Sequence, residues 1–171
     1  MEKIEKTFHW CLKLGEKGEK HKGLKKISFL DLNESKAHLK KAESNLETMQ
    51  YLYDGAKTDW VASAAFYAMY HALLALLYNL SYESRNQECT INAIEYFMKN
   101  SEISLEQEYI DMIRLAQKQE NKQDAKTVRE EYQYGTETIM ENNLCIQIME
   151  NARKFVDRIK EVIKELKLDS I

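Results

Sequence analysis

Apolar residues recur along this chain at spacings of three and four, the period of a helix with one face turned inward. Ile4, Phe8, Cys11 and Leu12 mark a short first helix over residues 2 to about 17. A second starts near Asn33, whose side chain can accept from the free N–H groups of a first turn. It turns Ala37, Ala42, Leu46, Met49 and Tyr53 inward and ends at Gly55. Thr58 or Asp59 can cap a third helix that runs to about Leu80. There Ala64, Tyr67, Ala68, His71, Leu74, Ala75 and Tyr78 form a stripe, and Met69, Leu73, Leu76 and Leu77 fill its flanks. A helix apolar on nearly every side belongs at the centre of a fold.

Ser84, with Gln87 three residues on, has the capping-box pattern for a fourth helix over about 85–99. Ser104 can cap a fifth through Leu105, Tyr109, Met112, Ile113 and Ala116. The polar run 117–124 then predicts a break or a projection into solvent. Helical spacing returns at Ala125, Val128 and Tyr132, and Gly135 stops it. The last helix is written most plainly, with Leu144, Ile148, Ala152, Phe155, Val156, Ile159, Val162, Ile163 and Leu166 on one face. Short connections between such helices predict an all-α, up-and-down antiparallel bundle with a short N-terminal helical extension.

Composition supports this picture and narrows the chemistry. The 171 residues fit one domain with a sizeable core, and five glycines with no proline favour long helices. The glycine- and lysine-rich stretch 15–26 predicts a loop or linker, dividing residues 1–33 from a bundle over 34–171. A formal charge of -3 excludes a broad basic field for nucleic acid. Lys17, Lys20, Lys22, Lys25 and Lys26 beside His21 read either as a local phosphate-contacting patch or as a solvated linker. Cys11, Cys89 and Cys145 are odd in number, widely spaced and lack a C-x-x-C pair. They suggest neither a zinc site nor a disulfide framework, and reduced thiols fit a cytoplasmic protein. The first ten residues carry no apolar signal core. Ser63, Tyr67, Tyr70, His71 and Tyr78 interrupt the apolar stretch 60–80, which argues against a membrane span. No metal-ligand spacing occurs, and no cofactor is expected.

Two stretches together resemble the HEPN (higher eukaryotes and prokaryotes nucleotide-binding) family. One is SAAFYAMYHALLALL, residues 63–77, and the other is VREEYQYG, residues 128–135, ahead of a long amphipathic C-terminal helix. The second is similar to the family's Arg-Glu-x-x-Asp-Tyr segment, with Gln133 in place of the acid. YESRNQECT, residues 82–90, resembles an archaeal subgroup. The resemblance covers about residues 34–168 and implies a helical bundle, a homodimer and a nucleotide or RNA ligand. It also implies a minimal nucleotidyltransferase as the partner in a toxin–antitoxin pair. Many members are metal-independent ribonucleases that use an Arg followed, after four to six residues, by His. After Arg85 those positions hold Thr90, Ile91 and Asn92, and all four histidines precede the first arginine. The usual dyad is absent.

The remaining candidates for chemistry cluster at a predicted helix start, where free N–H groups favour anions. Arg85 and Asn86 are candidates for holding phosphate, and Arg129 and Tyr132 can approach the same corner. Glu88 can pair with Arg85. Cys89, four residues after Arg85, is either a thiol of lowered pKa or a buried small residue. His71 is either a hydrogen-bonded core residue beside Tyr67 or a replacement proton carrier for Arg85. Two functions follow. One is a nucleotide- or RNA-binding or regulatory module. The other is a diverged ribonuclease using Arg85 with His71, Glu88 or Cys89.

Overall fold

Helical periodicity becomes six helices and two short strands in the computed structural model, which describes residues 2–18, 23–124 and 141–168. They are α1 (Lys3–Glu16), β1 (Leu24–Lys26), α2 (Leu32–Asp54), α3 (Val61–Asn79), β2 (Tyr82–Ser84), α4 (Gln87–Lys99), α5 (Gln107–Asp124) and α6 (Asn142–Leu168). The expected helix through Ala125, Val128 and Tyr132 to Gly135 lies outside the described residues.

α3 is the hub. Ala62, Ala65, Ala68, Ala72 and Ala75 are fully buried beside Phe66, Met69, Leu73, Leu76 and Leu77. The alanines have no long side chain to hold neighbours away, and α2, α4, α5 and α6 all pack on this helix. The stretch Thr58–Asn79 is long and apolar enough to cross a membrane, but 72% of its apolar window is buried inside the protein, as in a core helix. α2 runs antiparallel to α3 and to α6, and α5 runs antiparallel to α6. Ser35 Oγ donates to the Ala75 carbonyl across the α2–α3 seam. Glu43–Lys160 and Gln50–Arg153 join α2 to α6, and Glu106–Arg158 and Glu108–Lys154 join α5 to α6. α6 buries Ile148, Ala152, Phe155, Val156, Ile159, Val162 and Ile163, the face that its periodicity predicts.

Several helix ends differ from expectation. Asp31, not Asn33, caps α2, its side chain accepting from Glu34 N–H at 3.0 Å. The buried residues of α2 are Ser35, Ala42 and Met49, while Ala37 is exposed. Asn86 caps α4 by accepting from Cys89 N–H at 2.9 Å. Ser84 instead ends β2 and accepts from the Thr90 hydroxyl. α5 begins at Gln107, and the Ser104 carbonyl accepts from Arg158 of α6. It neither breaks nor projects at residue 117, because Gln117 and Glu120 are polar yet buried.

The N-terminal extension is built into the bundle. Phe8 stacks on Tyr96 with ring centres 3.8 Å apart, and Lys99 of α4 meets Glu2 at 2.6 Å and Glu5 at 3.1 Å. β1 pairs antiparallel with β2, setting Leu24 against Ser84 and Lys26 against Tyr82. Gly15 and Gly23, which read as linker glycines, are contact residues. A Cβ on Gly15 would fall 2.1 Å from the Leu24 carbonyl oxygen, and one on Gly23 would fall 2.3 Å from Gly15 N. Only a bare backbone lets the last turn of α1 lie this close to β1.

A covalent bond completes the attachment: Cys11 of α1 and Cys89 of α4 form a disulfide across 78 residues of chain, with Cα atoms 5.6 Å apart. This corrects the expectation of three reduced thiols. Cys145 alone is free, and it is buried. Closing a loop of 78 residues stabilises the fold by roughly 4 kcal/mol in the chain-entropy account.

Two outcomes follow. Air-oxidised protein denatured without reductant is expected to take up one equivalent of alkylating reagent, at Cys145; labelling of all three cysteines would contradict the cross-link. Gly23→Ala is expected to lower unfolding stability by about 1–3 kcal/mol in urea titration, the usual cost of forcing atoms into a packed contact.

Candidate functional site

The sequence cluster at residues 85–89 disperses into separate tasks once folded. Arg85, between β2 and α4, is exposed, and its backbone N–H donates to the Gly23 carbonyl. Asn86 spends its side-chain oxygen on the α4 cap, and its backbone carbonyl accepts from the Thr90 hydroxyl. Glu88 does not pair with Arg85. It reaches across to α5, where both carboxylate oxygens accept from Arg114 Nη1 at 2.8 Å and one accepts from Gln117. Burial works to raise the Glu88 pKa, but the Arg114 and Gln117 contacts outweigh it and hold the carboxyl below its ordinary value. Cys89 is fully buried and bonded to Cys11, so it is not the activated thiol that its neighbours suggested. Arg129 and Tyr132 lie outside the described residues.

His71 has a partner that sequence reasoning did not name. Its Nδ1 lies 2.9 Å from Nδ1 of His38 on α2. At that distance one Nδ1–H donates and the other nitrogen must be bare, so the pair holds at most one proton more than its neutral form. The rings stack at 5.2 Å, and Tyr78 also stacks on His38 at 5.5 Å. Both histidines are half-buried. Burial, then the charges of His38 and Lys41, push the His71 pKa down to about 4. Burial also lowers His38, against the pull of Glu34. Burial raises the Tyr78 phenol, helped by Glu83, Glu34 and Asp31 and opposed by Arg85. Arg85 thus acts electrostatically on Tyr78, whose ring stacks on His38.

One signal for His38 was available. Ser35, His38, Ala42 and Met49 follow the three–four spacing of the inner face of α2, but two are polar and an apolar count passes over them. Below Asn79, the same seam holds a second polar contact. Asn79 Nδ2 donates to Ser35 Oγ at 2.6 Å and to the Ala75 carbonyl at 2.8 Å.

Positions 90–92, where the family's ribonucleases carry their histidine, turn away from the surface that Arg85 occupies. Thr90 and Ile91 are fully buried and Asn92 is 8% exposed. A base at 90 or 91 would sit in the core, and position 92 lines a cleft of about 320 Å³ between α1, α4 and α5. Among the described residues no group of three or more His, Cys, Asp or Glu side chains is arranged to hold a metal ion.

The histidine pair predicts a pH dependence. His71 binds its proton less readily in the folded chain than unfolded, where the value is near 6.5. The stability it gives is complete above about pH 6.5 and is lost as pH falls to about 4. Urea titrations from pH 7 to 4 are expected to show the parent losing more stability than His71→Gln. Parallel profiles for the two would contradict the shared-proton pair.

A comparison with curated proteins finds no match for this chain. A family model for the HEPN domain matches residues 35–166, from the first turn of α2 nearly to the end of α6. That stretch holds α2 to α6, and α1 and β1 lie before it. The resemblance carried by residues 63–77 is thereby supported over most of the chain, and the protein belongs to the HEPN domain family.

Proposed function

We propose that this chain is a nucleotide- or RNA-binding, regulatory HEPN module, engaging a phosphate through Arg85 at the β2–α4 corner. Membership of the family supports a nucleotide- or RNA-related role. The observation that carries the non-catalytic form of it is that Thr90, Ile91 and Asn92 stand where a histidine would follow the exposed Arg85, with Thr90 and Ile91 fully buried. An arginine can grip phosphate as a planar fork without moving a proton. The reading includes a homodimer in which a second copy covers the exposed aromatic edge of α3, where Trp60 and Tyr67 stand out of the core. It also includes a nucleotidyltransferase-type protein as the partner in a toxin–antitoxin pair.

A diverged ribonuclease is the second reading, and the His38–His71 pair favours it. Of the three side chains first considered beside Arg85, Glu88 is committed to Arg114 and Cys89 to Cys11. His71 has a proton-sharing neighbour and is half-exposed, so it retains the means to move a proton.

Arg85→Ala is expected to weaken binding of a short RNA or nucleotide by about 1.5–3 kcal/mol in calorimetry, the usual cost of a lost charged hydrogen bond. The melting temperature should stay within error of the parent. Equal binding by both proteins would reject the proposed site. Light scattering should give twice the chain mass at tens of micromolar; a monomer would remove the dimer from the reading.

A further inference from the structure

α1 is seated on the bundle by two buried side chains, and one of them is bonded covalently. Of its 14 residues, Phe8 and Cys11 are the buried ones. Phe8 sits among Tyr82, Tyr96 and Phe97, and Cys11 is joined to Cys89 of α4. Lys99 adds ion pairs with Glu2 and Glu5, but these lie at the surface, where such pairs contribute little. A helix of this length is marginal in water on its own. The seat of α1 therefore depends heavily on the bond.

The place of α1 in the fold makes its release separable from unfolding. The helices of the bundle gather on α3, whereas α1 packs chiefly on α4 and β1. It also lies before the stretch that matches the family model. Lifting α1 thus removes a cover from one face of α4 and leaves the packing of α2, α5 and α6 on α3 in place. The covered face is aromatic: Phe97 is 2% exposed, and Tyr82 and Tyr96 are partly buried beside it.

We propose that the Cys11–Cys89 bond is a redox latch on α1. Oxidised, it holds α1 over the aromatic face of α4. Reduced by a dithiol, it lets α1 lift and uncovers Tyr96, Phe97 and both thiols. The chemistry is two thiol–disulfide exchanges. One thiolate of the dithiol attacks one cysteine sulfur, and the other cysteine leaves as a thiolate that takes up a proton. The second thiol of the reductant then attacks the mixed disulfide and frees the remaining cysteine, which is protonated in turn. Two electrons and two protons have passed to the cysteines, and the dithiol ends as a cyclic disulfide. Both cysteines are buried, so the reductant reaches them through local opening of α1.

The test compares the oxidised full chain with the same protein treated with dithiothreitol and desalted under nitrogen. By circular dichroism the reduced protein should lose no more helix than α1 contains. Under native conditions maleimide should label Cys11 and Cys89 and leave the buried Cys145 untouched. Trypsin should cut at Lys6 and Lys13 at least about tenfold faster than in the oxidised protein, and reoxidation should restore the resistance. The double variant Cys11→Ser/Cys89→Ser should behave as the reduced protein does. The rate of reduction should change little with urea below the unfolding transition, because local opening exposes little surface. These readouts are independent of the phosphate contact proposed at Arg85. An α1 equally resistant in both redox states, loss of the whole bundle on reduction, or a reduction rate that climbs with urea as steeply as global unfolding would each overturn the latch.

Discussion

Burial of α3 on nearly all sides is the constraint from which the rest of the molecule follows. A helix with five fully buried alanines and six large apolar side chains in its core positions is stable in water only when other helices surround it. α2, α4, α5 and α6 do this, and the close approach permitted by alanine draws α2 in far enough for Ser35 to reach the Ala75 backbone and His38 to reach His71. The polar seam is thus a consequence of the packing. Once two helices meet at that distance, a buried polar side chain on the shared face is costly without a partner, and Ser35 and His38 find theirs on α3.

The second organising element is the attachment of α1. A strand pair, the hydrogen bond from Arg85 N–H to the Gly23 carbonyl and a disulfide all act between residues 11–26 and residues 82–89. All three converge on the β2–α4 corner, the segment that carries Arg85. The family match begins at residue 35, so this corner belongs to the common domain while its support comes from the extension. Rigid support matters for the phosphate contact proposed at Arg85, because affinity is lost when the backbone that carries the side chain must be ordered on binding. The extension contributes in a second way, as one wall of the α1–α4–α5 cleft.

The sequence made some elements easy to read and hid others for physical reasons. α3 and α6 are legible because their buried positions are apolar, although Tyr67 of the predicted α3 stripe is exposed and His71 faces α2. α2 is misplaced by a residue or two because Ser35 and His38 occupy inward positions through hydrogen bonds instead of hydrophobicity. The unbroken course of α5 is hidden in the same way by Gln117 and Glu120, which are polar and buried. The two strands are three residues each, too short for an alternating pattern to declare itself. Cys11 and Cys89 could not be paired by spacing, since the loop between them is 78 residues long and only the packing of α1 on α4 brings them together. For the site, the position of Arg85 at a helix start was legible. Its neighbours' destinations were not, because Glu88 and Cys89 leave the helix on different faces toward α5 and α1.

The exposed Arg85 is proposed to hold a phosphate without the histidine that would cleave beside it. Replacing a general base with groups that take no proton typically costs about 10²- to 10⁴-fold in rate. The direct measurement follows a labelled structured RNA with the purified protein in the presence of a chelator, recording bound and cleaved fractions in one sample. RNA that is retained by the protein and recovered intact is the predicted result. Efficient chelator-resistant cleavage that disappears in both Arg85→Ala and His71→Ala would contradict it, and would show that the His38–His71 pair has taken over the missing role.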